Sequence, residues 1–195
     1  MSHATAPAIP RESTAVPTPR LGMWLFLASE VMFFGALVGS YLVLRLGSKD
    51  WPDPGTVLAV PVLAFNTFVL IASSACMVMG HDAVLAGDIP RLRKMLLATA
   101  GLGALFLAIK IADYAHLVHG GFVIGGSLFA SCYYLLTGFH GLHVLAGVIT
   151  LLVARSQAKR GIVTRENCGL VEGVGLYWHF VDVVWIVLFA ILCLL

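Results

Sequence analysis

The chain has 195 residues, of which 59% are apolar and only 11% charged, and its formal net charge is +2. Soluble domains carry about 25% charged residues, so the composition excludes a water-soluble globule, and the long apolar runs exclude a disordered chain. Four cysteines without a CxxC pair exclude a disulfide scaffold. What remains is an all-α, polytopic membrane helical bundle.

Residues 1–20 hold Pro7, Pro10, Pro17 and Pro19 among Ala, Ser and Thr, with no apolar run. That composition predicts a flexible cytoplasmic tail. It lacks the charged start and small-residue cleavage site of a signal peptide, so the first span is expected to act as the insertion signal. Residues 21–195 then form the membrane domain. Five apolar segments approach the ~20 residues that cross a hydrocarbon core: Leu21–Leu44, Val57–Gly80, Met95–Leu117, Ser127–Ala154 and Val171–Leu195. Helices are expected, because open strands would leave backbone groups unpaired in lipid. The joints carry breakers, among them Trp51-Pro52-Asp53-Pro54-Gly55, Gly87-Asp88-Ile89-Pro90, Gly120-Gly121 and Gly125-Gly126.

Basic residues set the expected orientation. With a cytoplasmic N-terminus, that side collects Arg11, Arg20, Arg91, Arg93, Lys94, Arg155, Lys159, Arg160 and Arg165. The other side keeps Arg45 and Lys49, with Lys110 near the end of the third span and able to snorkel. Five spans then leave Leu195 outside.

Polar groups within the spans are the candidate functional residues, since lipid does not accept them unpartnered. Glu30 lies about 13 Å into the first helix at 1.5 Å per residue, with no Lys or Arg within two turns. It reads either as a neutral acid bonded between helices or as a group for proton handling or docking. His140 and His143 share a face of the fourth span, and either can meet Glu30 by depth. On the fifth span Glu172, His179, Asp182 and Ile186 fall on one stripe, expected to point into protein and to bond neighbouring helices. Asn66 is expected to bond a neighbouring helix. Lys110 and Asp113 read as an intrahelical pair. Gly35-x-x-x-Gly39 with Ala36 and Ser40 makes a small-residue face suited to close packing. Ser73 and Ser74 show no obvious His or Lys partner, and no Walker, HExxH or GxSxG motif is present.

Three stretches carry a family likeness: Gly22-Met23-Trp24-Leu25-Phe26-Leu27-Ala28-Ser29-Glu30-Val31-Met32-Phe33-Phe34, Thr137-Gly138-Phe139-His140-Gly141-Leu142-His143-Val144, and Tyr177-Trp178-His179-Phe180-Val181-Asp182-Val183-Val184-Trp185. With weaker agreement at Phe65-Asn66-Thr67 and Gly87-Asp88, residues 20–195 resemble subunit III of haem-copper oxidases. The resemblance implies a non-redox accessory subunit of a proton-pumping terminal oxidase that takes electrons from cytochrome c to O2. It implies that haems and copper sit in partner subunits and that this chain holds phospholipid and supports proton uptake. The implied partners are catalytic subunit I, subunit II and a small subunit IV, within a bacterial cytoplasmic (inner) membrane, and a larger respiratory supercomplex is left open. Glu30, Asn66, His140, His143, Glu172, His179 and Asp182 become supporting positions for proton or lipid, and Arg155, Lys159, Arg160 and Arg165 a cytoplasmic basic surface. No catalytic, cofactor or metal position is implied in this chain.

Two departures stand out. Many members have seven helices, and this chain starts where their third begins, so one arm of the usual lipid cleft is expected to be missing unless helices of another subunit supply it. Asp113 stands where a longer glutamate is common. Five-helix forms also serve quinol oxidases and a nitric oxide reductase accessory protein, which leaves the electron donor open. From other classes, a small b-type cytochrome would use His140 or His143 with His179, and a proton-coupled transporter would use Glu30 and Asp182. The absence of internal repeats speaks against the transporter.

Overall fold

The computed structural model describes residues 18–49 and 51–193, and within them one short and five long helices. Their bounds are α1 Thr18–Gly47, α2 Pro54–Val57, α3 Val60–Leu85, α4 Ile89–His119, α5 Leu128–Lys159 and α6 Gly169–Cys193. The five long helices are apolar and long enough to cross a membrane. Most of the expected tail lies outside the described residues. The single-turn α2 was not expected; Asp53 caps it by accepting from the Gly55 N–H at 3.0 Å, with Pro54 opening the turn.

The joints follow from local chemistry. Gly87 takes φ +79°, and the N–H groups of Gly87 and Asp88 close back onto the carbonyls of Val84 and Ala83, which ends α3. Asp88 then caps α4 by accepting from the Arg91 N–H at 2.9 Å, so one helix stops and the next starts within four residues. The end of α4 repeats the device at Gly121, with Phe122 N–H donating to Leu117 O at 2.9 Å. Ser127 caps α5 on the Ala130 N–H at 3.0 Å. Because the caps at Asp88 and Gly121 lie beyond the apolar run, α4 extends past both expected bounds; α5 runs on past Ala154 to Lys159, and α3 starts at Val60 rather than Val57. At 31 and 32 residues, α4 and α5 exceed a ~30 Å hydrocarbon core by about 15 Å.

Helices α3, α4, α5 and α6 close a ring, each packed on the next and α6 back on α3, while α1 lies outside against α5 and α6. The core has two clusters. One gathers Met77, Leu92, Leu96, Phe106, Leu151 and Trp178; the other gathers Phe34, Tyr41, Leu117, Phe129, Tyr133 and Leu188. Lipid offers no hydrophobic drive for this assembly, so packing and polar contacts must hold it.

Trp178 is the pin of the ring. Its indole is fully buried, and Nε1 donates to Ser73 Oγ of α3 at 3.0 Å. A Cβ on Gly103 of α4 would meet the indole at 2.5 Å, and one on Gly147 of α5 at 2.8 Å. One side chain of α6 therefore fixes three other helices, and those two positions admit no side chain. By contrast, Gly35 and Gly39 have nothing near them. Among the described residues, the small-residue face expected to pack closely meets no other helix, because α1 turns it outward.

Candidate functional site

The polar groups of the spans fall into four places. At the α1–α5 contact, Glu30 Oε2 lies 2.9 Å from His143 Nε2, and Nδ1 lies 2.7 Å from Phe139 O. A carbonyl only accepts, so Nδ1 carries a hydrogen and one further proton is shared between Nε2 and the acid. The pair is then a neutral acid with a neutral imidazole, or a carboxylate with an imidazolium; both have zero net charge. Phe34 stands edge-on to the imidazole at 5.0 Å, and the Tyr177 hydroxyl donates to His143 O at 3.0 Å, adding α6 to the contact. Of the two histidines that depth allowed, His143 meets Glu30.

His140 points the other way, into the ring. It is fully buried, stacked on Trp185 at 5.0 Å and edge-on to Phe106 at 5.8 Å, with neither nitrogen hydrogen-bonded. Trp185 Nε1 donates to Thr67 Oγ1 at 2.9 Å, and Asn66 Nδ2 donates to Phe106 O at 3.3 Å. Asn66 thus does reach a neighbouring helix, by a backbone carbonyl.

Toward the C-terminal end of α4, Lys110 Nζ donates to Asp113 Oδ2 at 3.0 Å and to the Tyr133 hydroxyl at 2.5 Å, and that hydroxyl donates to the same Asp113 oxygen at 3.0 Å. The ammonium also lies 4.6 Å from the Tyr133 ring centre and 5.6 Å from that of Trp185. This corrects the expectation of a snorkelling lysine. Lys110 is 4% exposed, because an acid, a phenol and aromatic faces replace the water it would have sought.

The α6 stripe divides. Glu172 accepts from Arg20 Nη2 at 2.6 Å and Nε at 3.0 Å, tying the start of α1 to the start of α6. His179 Nδ1 lies 2.5 Å from Ser74 Oγ of α3, so Ser74 has the histidine partner that its sequence neighbourhood hides. Asp182 is buried, yet neither carboxyl oxygen has a hydrogen-bond partner. Ile186 does not share the expected inward direction. It is 45% exposed, since no polar group draws it inside.

Arg155 near the end of α5 is half-buried with an unpartnered Nε, and Lys159, Arg160 and Arg165 are exposed there and in the following loop. Helix connectivity brings this end together with Arg20 and with Arg91, Arg93 and Lys94 at the start of α4. Two cavities flank the first turns of α1 at this end. One, of 400 Å³, lies between α1, α3 and α6; the other, of 760 Å³, lies between α1, the end of α5 and the start of α6. Arg20 and Glu172 line both.

Among the described residues no group of three or more His, Cys, Asp or Glu side chains is placed to hold a metal. His143 is committed at both nitrogens, and His179 at Nδ1. His140 keeps an aromatic ring against its face and another at its edge.

Residues 12–194 match the family described as cytochrome c oxidase subunit III. A cytochrome c oxidase subunit 3 from Thermostichus vulcanus is 39% identical over 177 residues, covering 90% of this chain and 86% of that protein. The corresponding protein of Synechocystis sp. is 42% identical over 176 residues, 89% of this chain and 74% of its own length. That of Corynebacterium diphtheriae is 36% identical over 188 residues, 93% and 92% of the two chains.

Proposed function

Because the chain belongs to the cytochrome c oxidase subunit III family, we propose that it is the non-redox accessory subunit of a cytochrome c-dependent, proton-pumping terminal oxidase. In this reading it sits beside catalytic subunit I, with subunit II and a small subunit IV, in a bacterial inner membrane. Haems and copper belong to the partners; this chain steadies the catalytic subunit, holds phospholipid and supports proton uptake.

The carrying observation is the Glu30–His143 contact. It closes a half-buried acid and an imidazole on one another across α1 and α5, leaving both to secure a helix and not to bind a metal. The exposed apolar face of α1, with Leu25, Val31, Met32 and Val43 all more than half exposed, supports a neighbour in the membrane. The two cavities beside Arg20 have apolar walls and a charged mouth, which suits an acyl chain below a headgroup. The basic cluster at the same end supports a cytoplasmic placement of the N-terminus.

Glu30→Ala leaves His143 Nε2 unpartnered and loosens α1. The oxidase purified with this variant is expected to lose the subunit, or its activity, during sustained turnover, while its metal-centre spectra stay unchanged. Glu30→Gln, whose amide donates to Nε2, is expected to keep the subunit bound. Gentle extraction with mass analysis checks the same preparation for subunits I and II and for lipid. Altered metal spectra with the subunit still bound, or extraction without a haem-bearing partner, would refute the reading.

A further inference from the structure

His179 stands on the wall of the 400 Å³ cavity that Arg20 and Trp24 of α1 and Met77 and His81 of α3 also line. Its Nδ1 meets Ser74 Oγ at 2.5 Å. Ser74 differs from its neighbour Ser73, whose hydroxyl donates to Leu70 O; no bond to its own helix occupies the Ser74 hydroxyl. Asp182 lies three residues beyond His179 on the same face of α6, and Ser74 is its polar neighbour across the α3–α6 seam. Asp182 is 5% exposed, neither of its oxygens completes a hydrogen bond, and no cation pairs with it. A carboxylate left in that position would be costly, so its proton needs a defined place to come from and to go.

We propose that Asp182, Ser74 and His179 form a proton-exchange relay connecting a buried carboxyl to the α1–α3–α6 cavity. On release, the Asp182 carboxyl first closes onto Ser74 Oγ, with which it makes no hydrogen bond at rest, and gives it the proton while the Ser74 hydroxyl gives its own to His179 Nδ1. The imidazolium so formed sheds the Nε2 proton to the cavity. Asp182 is left as carboxylate, Ser74 keeps one hydrogen, and His179 has passed from the Nε2–H to the Nδ1–H tautomer. Uptake reverses each transfer and restores the first tautomer, so the relay cycles without turning the ring. The other titratable groups facing the route are His81, close enough to act on His179, and the Arg20–Glu172 pair at the cavity mouth. The relay is a property of this chain and holds whether or not its proton passes on to a catalytic subunit.

The test uses the purified complex containing the full chain. An infrared difference between wild type and Asp182→Asn isolates the Asp182 carboxyl band, and its decay is timed after a rapid step from acid to alkaline pH. Ser74→Ala is expected to slow that decay by about 100-fold, and Ser74→Thr, which keeps the hydroxyl, to restore it. His179→Gln, which takes no second proton, is expected to give the same slowing and serves where Ser74→Ala does not assemble. An unchanged decay in Ser74→Ala or His179→Gln, or a difference spectrum without a pH-dependent carboxyl band, overturns the relay.

Discussion

Trp178→Ala is expected to cost the subunit about 3–5 kcal/mol and to release α6 from its three neighbours. The indole is the shared surface on which α3, α4 and α5 meet α6, and its removal opens a void between Gly103 and Gly147 and takes away the donor that Ser73 Oγ accepts. The converse change acts by overfilling. Gly147→Ala places a methyl where the ring already stands, at a cost of about 1–3 kcal/mol. An ordinary helical Gly→Ala would instead gain up to about 1 kcal/mol. Gly101→Ala is the matched control, on the same ring of helices with open space at its Cβ. Heating the detergent-solubilised complex and following loss of the subunit separates the two. Gly147→Ala should lower the temperature of loss and Gly101→Ala should not; equal effects would mean that the Trp178 contact is not what holds the ring.

The second large effect lies at Lys110. Lys110→Met leaves Asp113 with only the Tyr133 hydroxyl, and Asp113→Leu leaves a buried ammonium without its counter-ion. Removing one partner of a buried pair costs about 3–5 kcal/mol, whereas replacing both by apolar groups is often neutral. The double variant Lys110→Met with Asp113→Leu is therefore expected to retain more of the subunit in the complex than either single variant. Additive losses would show that the two side chains act separately and that the pairing carries no stability.

Spans and joints were legible in the sequence because both signals are local: a run of apolar residues, then Gly, Asp, Ser or Pro within a few positions. Only the helix ends moved, at α4 outward to the caps at Asp88 and Gly121, and at α3 with a start at Val60 instead of Val57. The one-turn α2 escaped notice because the Trp51–Gly55 stretch reads as a breaker, and an Asp-Pro pair can break one helix while starting another. Partners were a different matter. Glu30 and His143 are 113 residues apart, Ser74 and His179 are 105, and Lys110 and Tyr133 are 23. Depth in the bilayer narrowed the first pair to two candidates, but a helix face has no absolute bearing until it is packed. Lys110 shows why: its position near a helix end allowed escape to water, and aromatic side chains that hold it inside come from α5 and α6. Ile186 shows the reverse case, a residue on the polar stripe by spacing alone.

Glu30 with His143, and His179 with Ser74, are bonded between helices and in the proposed function carry no redox centre. The direct measurement is the absorption spectrum of the subunit after mild detergent has detached it from the purified oxidase. The Soret band is expected to stay entirely with the depleted complex, and a stoichiometric Soret band in the fraction holding this chain would contradict the claim.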